Sequence, residues 1–461
     1  MWVDSINRKL KRIHRQKLSR ESLKKKIFSW ILISAVFIIV IFGSFFFAGR
    51  LGAEFVLNSV EPLSLFRDGK YLVLFQNNSE LRSSGGFIGS YAVIEIKNYE
   101  VKNITFNTNI YALDRTFAES HFIAAPEPLS QFLKNKTWTL KDANYDANFP
   151  DAAQDILYFY SAETGDSVDG VIALNAKVMV DLLKLTGPIK IDKYNLTVDA
   201  DNFYDVTQYQ VERGYYDDPQ NWIVNEPKGF LKDLYPEIVN RALKDKKALL
   251  NLAQKEISQK EIIFYFNDAG KEQIATTHNW AGKMPTEKEV QDLFDTSNSI
   301  DYLYINSNSY SGDKSSIKVN DEINYKITRD LTGKLLATIK ITKIHTGSYN
   351  WPDGPNDTWM RIYVPKNSVL NTAKINEKNI LTQDLTVSSE NDKTFFGYKV
   401  FTNPGQANIL EFSYYLPFDI IDPANYHLLI QKQPGAVDPN LMIIFADKIL
   451  YQGVLNKDIQ I

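Results

Sequence analysis

Hydrophobic and polar positions follow two different patterns along most of the chain. Up to about residue 305, short apolar runs typical of strands alternate with segments whose apolar residues have helical spacing. The predicted strands are 71–75, 87–96, 101–106, 169–174, 189–191 and 262–266, and the predicted helices are 150–161, 175–186, 199–213 and 236–253. Strands that alternate with helices predict a layered α/β or α+β domain, which we assign to residues 50–305.

The pattern changes after residue 305. Segment 306–314 is rich in turn-forming residues, and helical periodicity disappears beyond it. Apolar runs separated by turn signals recur at 323–328, 335–341, 359–364, 395–401, 409–415 and 426–431. This spacing predicts an all-β, sandwich-like domain of about seven strands over residues 306–461.

The N-terminal segment is basic and then strongly apolar. Residues 1–26 contain ten lysines and arginines against Asp4 and Glu21, and residues 27–49 carry no charge. A helix over 27–49, at about 1.5 Å per residue, is long enough to cross roughly 30 Å of hydrocarbon. The positive-inside rule then predicts a cytoplasmic tail at 1–26, one transmembrane helix at 27–49 and an extracytoplasmic remainder. We expect a single-pass cell-membrane protein of the cell envelope, with the lipid bilayer and not nucleic acid as partner of the basic segment.

Composition excludes several kinds of chemistry. The chain of 461 residues has a net charge of −3 and no cysteine, which excludes disulfides, thiolate metal sites and cysteine nucleophiles. The five histidines match no zinc-protease pattern, and the chain has no Gly-x-Ser-x-Gly nucleophile elbow. A site in this protein therefore depends on charged side chains, amides and backbone groups.

The first candidate site is the polar segment between the first two predicted strands. Glu80 and Arg82 lie there, followed by Gly85 and Gly86. A guanidinium and several backbone N–H groups can bind an anion, and glycines allow close approach of a ligand to the backbone. The alternative is a polar strand connection whose glycines only permit a bend.

Three further candidates follow along the chain. Asp114 and Arg115 follow the third predicted strand, where they could bind a metal and a phosphate or form only a surface ion pair. Arg213 lies at a predicted helix end, where a cation is favourable in any case. Lys228 lies near the start of the next helical stretch.

The motifs at 75–89, 169–174, 185–188, 301–315 and 431–435 together resemble a bacterial domain-of-unknown-function family, DUF4012. The resemblance covers roughly residues 70–435. Its members are typically single-pass envelope proteins, and the resemblance implies no activity.

The layout of residues 70–260 also resembles the LytR-CpsA-Psr family of envelope phosphotransferases, which attach glycopolymers from polyprenyl-pyrophosphate carriers to the cell wall. The resemblance rests on 80–84, 109–116, 168–191 and Arg213, and more weakly on Lys228. It implies that arginines hold a pyrophosphate. It also implies that two carboxylates, here Glu80 and Asp114, hold Mg²⁺. The sequence departs from that family where Ser-Ser-Gly-Gly replaces an Asp-Thr pair after Arg82 and where the order Arg-Asp is reversed at 114–115.

Two functional hypotheses remain open at this point, and the catalytic residues are unknown. In the first, the protein binds a polyprenyl-phosphate or envelope-glycan ligand without catalysis. In the second, it moves a glycopolymer from a polyprenyl-pyrophosphate carrier to the wall, using Arg82, Arg115 and Arg213 with Mg²⁺. The second hypothesis requires Arg82, Arg115 and a carboxylate to meet in one pocket.

Overall fold

The computed structural model describes residues 65–133, 137–217, 228–310, 312–420 and 425–461. Its first part is a mixed α/β unit whose strands are β1 Gly69–Arg82, β2 Gly85–Lys97, β3 Glu100–Asn107, β4 Gly170–Asn175, β5 Ile189–Ile191, β6 Leu196–Val198 and β7 Ile262–Phe266. Its helices are α1 Ile110–Ala118, α2 Leu129–Leu133, α3 Phe149–Thr164, α4 Lys177–Thr186, α5 Phe203–Glu212, α6 Gly229–Ala242, α7 Lys246–Ser258, α8 Ala269–Thr277 and α9 Glu287–Leu293.

A five-stranded sheet in the order β3-β2-β1-β4-β7 organises this unit. Only β1 and β4 are parallel, and the helical segment between them provides the crossover that a parallel pair needs. Both faces of the sheet are buried: Tyr71 and Val73 of β1 pack in one core, and Leu72 and Leu74 pack in the other. Successive side chains of a strand point to opposite faces, so this near-continuous apolar run fills both cores.

The second part is built from strands alone, apart from short 3₁₀ turns, in the ranges that the structure describes. Its strands are β8 Asp301–Ser309, β9 Val319–Arg329, β10 Leu335–His345, β11 Asn356–Pro365, β12 Val369–Ile375, β13 Lys378–Asn379, β14 Leu385–Glu390, β15 Lys393–Thr402, β16 Ala407–Tyr415, β17 Leu428–Gln431, β18 Asn440–Phe445, β19 Lys448–Val454 and β20 Ile459–Gln460. They form a sheet of seven strands, β13-β12-β16-β10-β9-β18-β19, and one of six, β14-β15-β11-β8-β17-β20.

A continuous apolar core joins these two sheets. Ile339 and Ile341 of β10 pack in the same core as Ile362 and Val364 of β11. Residues two apart in a strand share a face, which is why the alternating pattern in the sequence yields one buried side for each sheet. Strand β8 begins at Asp301, so it crosses the expected domain boundary at 305/306.

The predicted fold class requires a correction at its N-terminal end. Within the described ranges, no helix is both long enough and apolar enough to cross a membrane. The predicted basic tail at 1–26 and transmembrane helix at 27–49 lie outside the described residues. On this finding we correct the fold class to a mixed α/β structure with several β-sheets, and the single-pass cell-membrane location deduced from that helix is withdrawn.

Two details of the predicted elements are also wrong. Residues 76–82 are not a loop, because β1 continues to Arg82 and turns through Ser83 and Ser84 directly into β2. The predicted helix at 236–253 is two helices, α6 and α7, with Asp245 capping the second through its side chain. Asp is a strong N-cap residue because its carboxylate accepts from the free N–H groups of the first turn.

The β1–β2 turn enters the contact between the two parts of the chain. Arg361 on β11 is almost completely buried there and donates to Ser83 Oγ at 2.7 Å, to Tyr145 O at 3.2 Å and to Glu390 Oε1 at 2.9 Å. Asn306 Nδ2 donates to Ser83 O at 2.8 Å. Buried polar groups are costly unless they are hydrogen-bonded, so these contacts hold the two parts in one arrangement.

We expect Arg361→Met to lower the free energy of unfolding by about 3 kcal/mol, because it leaves several buried acceptors without a partner. Arg329 is a matched control, since its ion pair with Asp419 at 2.7 Å is largely exposed. Arg329→Met should cost less than about 1 kcal/mol. Urea unfolding of both variants measures the difference, and equal losses would contradict the structural role given to Arg361.

Candidate functional site

A cavity of about 610 Å³ lies at the carboxyl end of β4 and beside the middle of β1, where the parallel pairing of these two strands ends at Gln76 and Asn175. Helix α5 and the first turns of α4 and α6 form its other walls. Crevices at the carboxyl ends of parallel strands are frequent ligand sites, because the chain leaves the sheet there and helices begin. The volume is in the range of small-molecule sites, which is roughly 300–1,000 Å³.

One part of the cavity is apolar and largely aromatic. Phe75 and Tyr235 contact each other with ring centroids 6.3 Å apart, and Phe203, Leu231 and Met179 extend the apolar lining. Phe75, Leu231 and Tyr235 are partly exposed, and this leaves apolar surface that a ligand could bury, which is favourable by about 25 cal/mol per Å². This wall suits a hydrocarbon chain.

Another part of the cavity carries positive charge. Lys228, Lys314 and Arg115 all contribute to the lining. Lys228 Nζ lies 5.9 Å from the ring of Tyr111 and Lys314 Nζ lies 5.8 Å from the ring of Phe87. These two rings stack on each other at 6.0 Å, so the two ammonium groups flank one aromatic pair. Arg115 follows Tyr111 by one turn of α1.

Two helix N-termini add to this positive region. Ala176 and Lys228 occupy the N-cap positions of α4 and α6, and neither forms a side-chain cap. The first N–H groups of a helix have no partner inside the helix and carry partial positive charge. Together with the three cations, they make this end of the cavity suitable for an anion.

Lys228 is held in an unusual state for a lysine. Its Nζ donates to Gly89 O, and no carboxylate among the described residues forms an ion pair with it. Burial first, and the charge of Lys314 second, lower the pKa of Lys228 to about 7 against the opposing effect of Glu212. A bound anion would restore the charge on this amine.

Lys314 connects the cavity to a buried ion-pair chain. Its ammonium group pairs with Glu80 Oε2, and Arg82 pairs with Glu80 Oε1 at 2.6 Å. Arg82 also donates to Ser309 O and lies 3.7 Å from Asp142. Burial alone would raise the pKa of Glu80, but the charges of Arg82 and Lys314 outweigh it and hold that pKa low. Glu80 and Arg82 thus orient Lys314, and neither of them lines the cavity.

Asp114 and Arg115 are adjacent in sequence but separate in their contacts. Asp114 faces inward, where Thr139 Oγ1 donates to it at 2.9 Å and Lys141 pairs with it at 3.1 Å. Burial raises the pKa of Asp114, and the charge of Lys141 opposes this rise. Arg115 is exposed and lines the cavity. Successive residues of a helix point about 100° apart, which explains the separation.

The two carboxylates predicted to hold Mg²⁺ lie at opposite ends of one ion-pair network, with Arg82, Asp142 and Lys141 between them. Both oxygens of Glu80 are paired with cations, and Asp114 pairs with Lys141. In the part of the chain that the structure describes, no three His, Cys, Asp or Glu side chains are grouped to hold a metal ion. These residues do not fit the predicted metal centre, and we derive no metal-dependent step.

The predicted glycines have a structural explanation. A Cβ on Gly86 would lie 2.2 Å from the Asn77 carbonyl carbon, and Gly85 has a φ of +130° that other residues rarely adopt. Gly86 N also donates to Asn175 Oδ1 at 2.9 Å. The glycines thus allow β1 and β2 to pair tightly at the turn, as the alternative interpretation of this segment expected.

Arg213 is placed outside the cavity lining. It follows α5 as the C-cap residue, and its guanidinium lies 3.9 Å from the ring centroid of Trp351. Of the predicted candidates, the structure brings together Arg115 and Lys228 in the cavity, with Glu80 and Arg82 behind it. Sequence reasoning missed Lys314 and the aromatic residues of the wall, although 301–315 was among the family motifs.

Comparison with known proteins identifies one family. Residues 68–211 match the family described as "Protein of unknown function (DUF4012)". This confirms the first resemblance over residues 68–211, which is less than the extent of 70–435 that the motifs predicted. The second resemblance, to the LytR-CpsA-Psr enzymes, is unconfirmed. No curated protein matches the chain.

Solved structures show only weak likeness. A protein described as nutrient binding from Legionella pneumophila has a TM-score of 0.21 at 10% identity and covers 31% of this chain and 54% of its own. Aminopeptidase A from the same organism, in complex with aspartic acid, has a TM-score of 0.19 at 8% identity, covering 30% and 17%. An M1 zinc metallopeptidase from Deinococcus radiodurans has a TM-score of 0.16 at 10% identity, covering 28% and 32%. Each match spans less than two thirds of the solved chain, and likeness this weak supports no conclusion on fold or function.

The state of Lys228 predicts a pH-dependent stability. Its pKa is 10.5 when unperturbed and about 7 in the folded protein, so the unfolded chain binds more protons between these values. Burial of Lys228 therefore lowers the free energy of unfolding by its full amount below pH 7, and this loss disappears as the pH rises toward 10.5. We expect Lys228→Met to raise the melting temperature of the ligand-free protein by a few degrees at pH 7, with a smaller gain at pH 9.5.

Lys247 provides the matched control, because its side chain is exposed. Lys247→Met should leave the melting temperature unchanged at both pH values. A Lys228→Met variant that melts at the wild-type temperature at pH 7 would contradict the claim that the buried amine of Lys228 destabilises the folded protein.

Proposed function

We propose that this protein, which resembles the DUF4012 family over residues 68–211, binds a polyprenyl phosphate in the cavity where the parallel pairing of β1 and β4 ends. One observation carries the proposal: Lys228, Lys314 and Arg115 line the same cavity as a wall of aromatic and aliphatic side chains. A phosphate joined to an isoprenoid chain has this combination of a compact anion and a long apolar tail.

The charge arrangement supports a phosphate as the head group. Ammonium groups bind phosphate through charge-assisted hydrogen bonds, and two lysines with an arginine can contact several oxygens at once. Lys228 has no carboxylate partner among the described residues, and Lys314 is held in place by Glu80. Preorganised cations contribute more to affinity than mobile surface lysines, because less side-chain freedom is lost on binding.

The apolar wall supports an isoprenoid tail. The aromatic residues Phe75, Phe203 and Tyr235 line the cavity together with the aliphatic residues Leu231 and Met179. Branched, unsaturated hydrocarbon packs well on such faces, and methionine adapts to irregular shapes. The cavity volume of about 610 Å³ suits the head group and the first isoprenoid units.

The arrangement favours binding over phosphoryl transfer. The enzymatic alternative needs Arg82 and Arg115 at one phosphate, but Arg82 is buried between Glu80, Asp142 and Ser309 O. No carboxylate of the predicted metal pair is available to hold Mg²⁺ beside Arg115. Phosphate release in the binding assay below would favour the enzymatic alternative.

We expect farnesyl phosphate, a soluble short-chain probe, to bind at least about tenfold more tightly than farnesol, measured by calorimetry at pH 7. Lys228→Met and Lys314→Met should each weaken farnesyl phosphate binding about tenfold or more, because each removes a hydrogen bond to a charged group. Lys247→Met is the control and should bind normally. Equal affinity for farnesol and farnesyl phosphate would contradict the proposal.

Binding of farnesyl phosphate should also weaken as the pH rises. The ligand binds the protonated form of Lys228, whose pKa in the free protein is about 7. Between pH 7 and pH 8.5 the phosphate keeps its charge. We therefore expect an affinity loss of about tenfold over this range, caused by deprotonation of Lys228. Lys228→Met should abolish the loss, and a pH-independent affinity in the unaltered protein would exclude proton uptake at this amine.

A further inference from the structure

A group of partly exposed aromatic side chains lies next to residues that line the cavity. We call Tyr209, Tyr216 and Trp351, together with Arg213, the aromatic shelf. Tyr209 and Tyr216 are both 43% exposed, and Trp351 is 36% exposed. The ring centroids of Tyr209 and Trp351 are 6.5 Å apart, with the planes at 71°. Both parts of the chain contribute, because Trp351 comes from the segment between β10 and β11.

The shelf is continuous with the cavity. Tyr216 lines the cavity itself, and so does Glu212, which precedes Arg213 in the chain. Tyr216 N donates to Arg213 O at 2.8 Å, and Tyr209 Oη donates to Asp217 at 3.3 Å. A group attached to the phosphate on the outer side of the cavity would therefore meet the shelf.

The segment that carries Trp351 is fixed by hydrogen bonds. Lys314 N donates to Pro352 O at 3.0 Å, which links this segment directly to the cavity lysine. Asp353 accepts from Ser348 N at 3.0 Å, and Gly354 N donates to Ser348 O at 2.9 Å. A shelf that is already ordered loses little conformational freedom when a ligand binds.

The chemistry of the shelf combines ring faces with hydrogen-bonding groups. Arg213 lies over the ring of Trp351 at 3.9 Å and brings guanidinium donors to it, while Asp217 and the Tyr209 hydroxyl supply acceptors. A second hydrocarbon chain would bury these polar groups without partners, which is costly. A pyranose ring matches the shelf, because it has apolar C–H faces and a rim of hydroxyl groups.

We propose that the aromatic shelf binds a pyranose sugar linked to the phosphate, so that the ligand is a glycosylated polyprenyl phosphate. This inference rests on the proposed function, since the cavity places the sugar beside the shelf. The shelf supplies stacking and hydroxyl recognition, and the cavity supplies charge and apolar burial. Tyr209 and Trp351 would thus determine specificity for the head group.

The test compares two phosphodiesters of equal charge, glucosyl farnesyl phosphate and methyl farnesyl phosphate, bound to the full chain by calorimetry. We expect the glucosyl diester to bind about tenfold more tightly, the gain that ring stacking provides. Trp351→Leu and the exposed helix variant Tyr209→Leu should each remove this gain and leave methyl diester affinity within about twofold. Tyr158→Leu, at an exposed tyrosine of α3, is the matched control and should keep the gain.

The remaining outcomes separate the shelf from the cavity. Equal affinity for the two diesters, or equal weakening of both by Trp351→Leu, would overturn the sugar-binding shelf and leave the lipid-phosphate proposal standing. If farnesyl phosphate fails to bind but free cellotetraose binds in a Trp351-dependent manner, the shelf stands and the lipid-phosphate proposal falls. Absence of binding by all four probes would overturn both.

Discussion

The buried ion-pair chain of Arg82, Glu80 and Lys314 is the interaction on which the rest of the structure depends. These side chains join the end of β1 to the segment after β8, which belongs to the second part of the molecule. Buried charges are tolerated only when paired, so separating the two parts would expose each partner without the other. The same docking brings Arg361 onto the β1–β2 turn and orders the contact around Ser83.

The ion pairs of Arg82, Glu80 and Lys314 also contribute to the cavity. Glu80 pairs with Lys314 where Lys314 lines the cavity, and the backbone N–H of Lys314 donates to Pro352 O in the segment of Trp351. The α/β part supplies the apolar wall, Lys228 and the helix N-termini, and the all-β part supplies one cation and one rim aromatic. Binding of a ligand that contacts both Lys228 and Lys314 would therefore depend on the contact between the two parts.

Two buried cations in this region have opposite roles. Arg82 is enclosed by carboxylates and carbonyls that hold its charge, which suits a structural group. Lys228 has only a carbonyl acceptor among the described residues, and burial lowers its pKa. Natural proteins retain such destabilising groups where function requires them, and a folded core alone would favour an apolar side chain at this position.

The sequence by itself determined the layered α/β part, the all-β part and most strand positions. It did so because apolar residues recur every two residues in strands and about every 3.6 residues in helices. Its motifs at 75–89 and 169–174 also indicated the resemblance to the DUF4012 family, whose model matches residues 68–211, and Arg115 and Lys228 were among its candidate residues. Only the tertiary structure decided that Glu80 and Arg82 stand behind the cavity, that Asp114 faces away from Arg115, and that Lys314 and Trp351 join residues far from them in the chain. Strand pairing and domain docking set these distances through burial and hydrogen bonding between remote segments, and no local pattern of residues encodes which charges will meet.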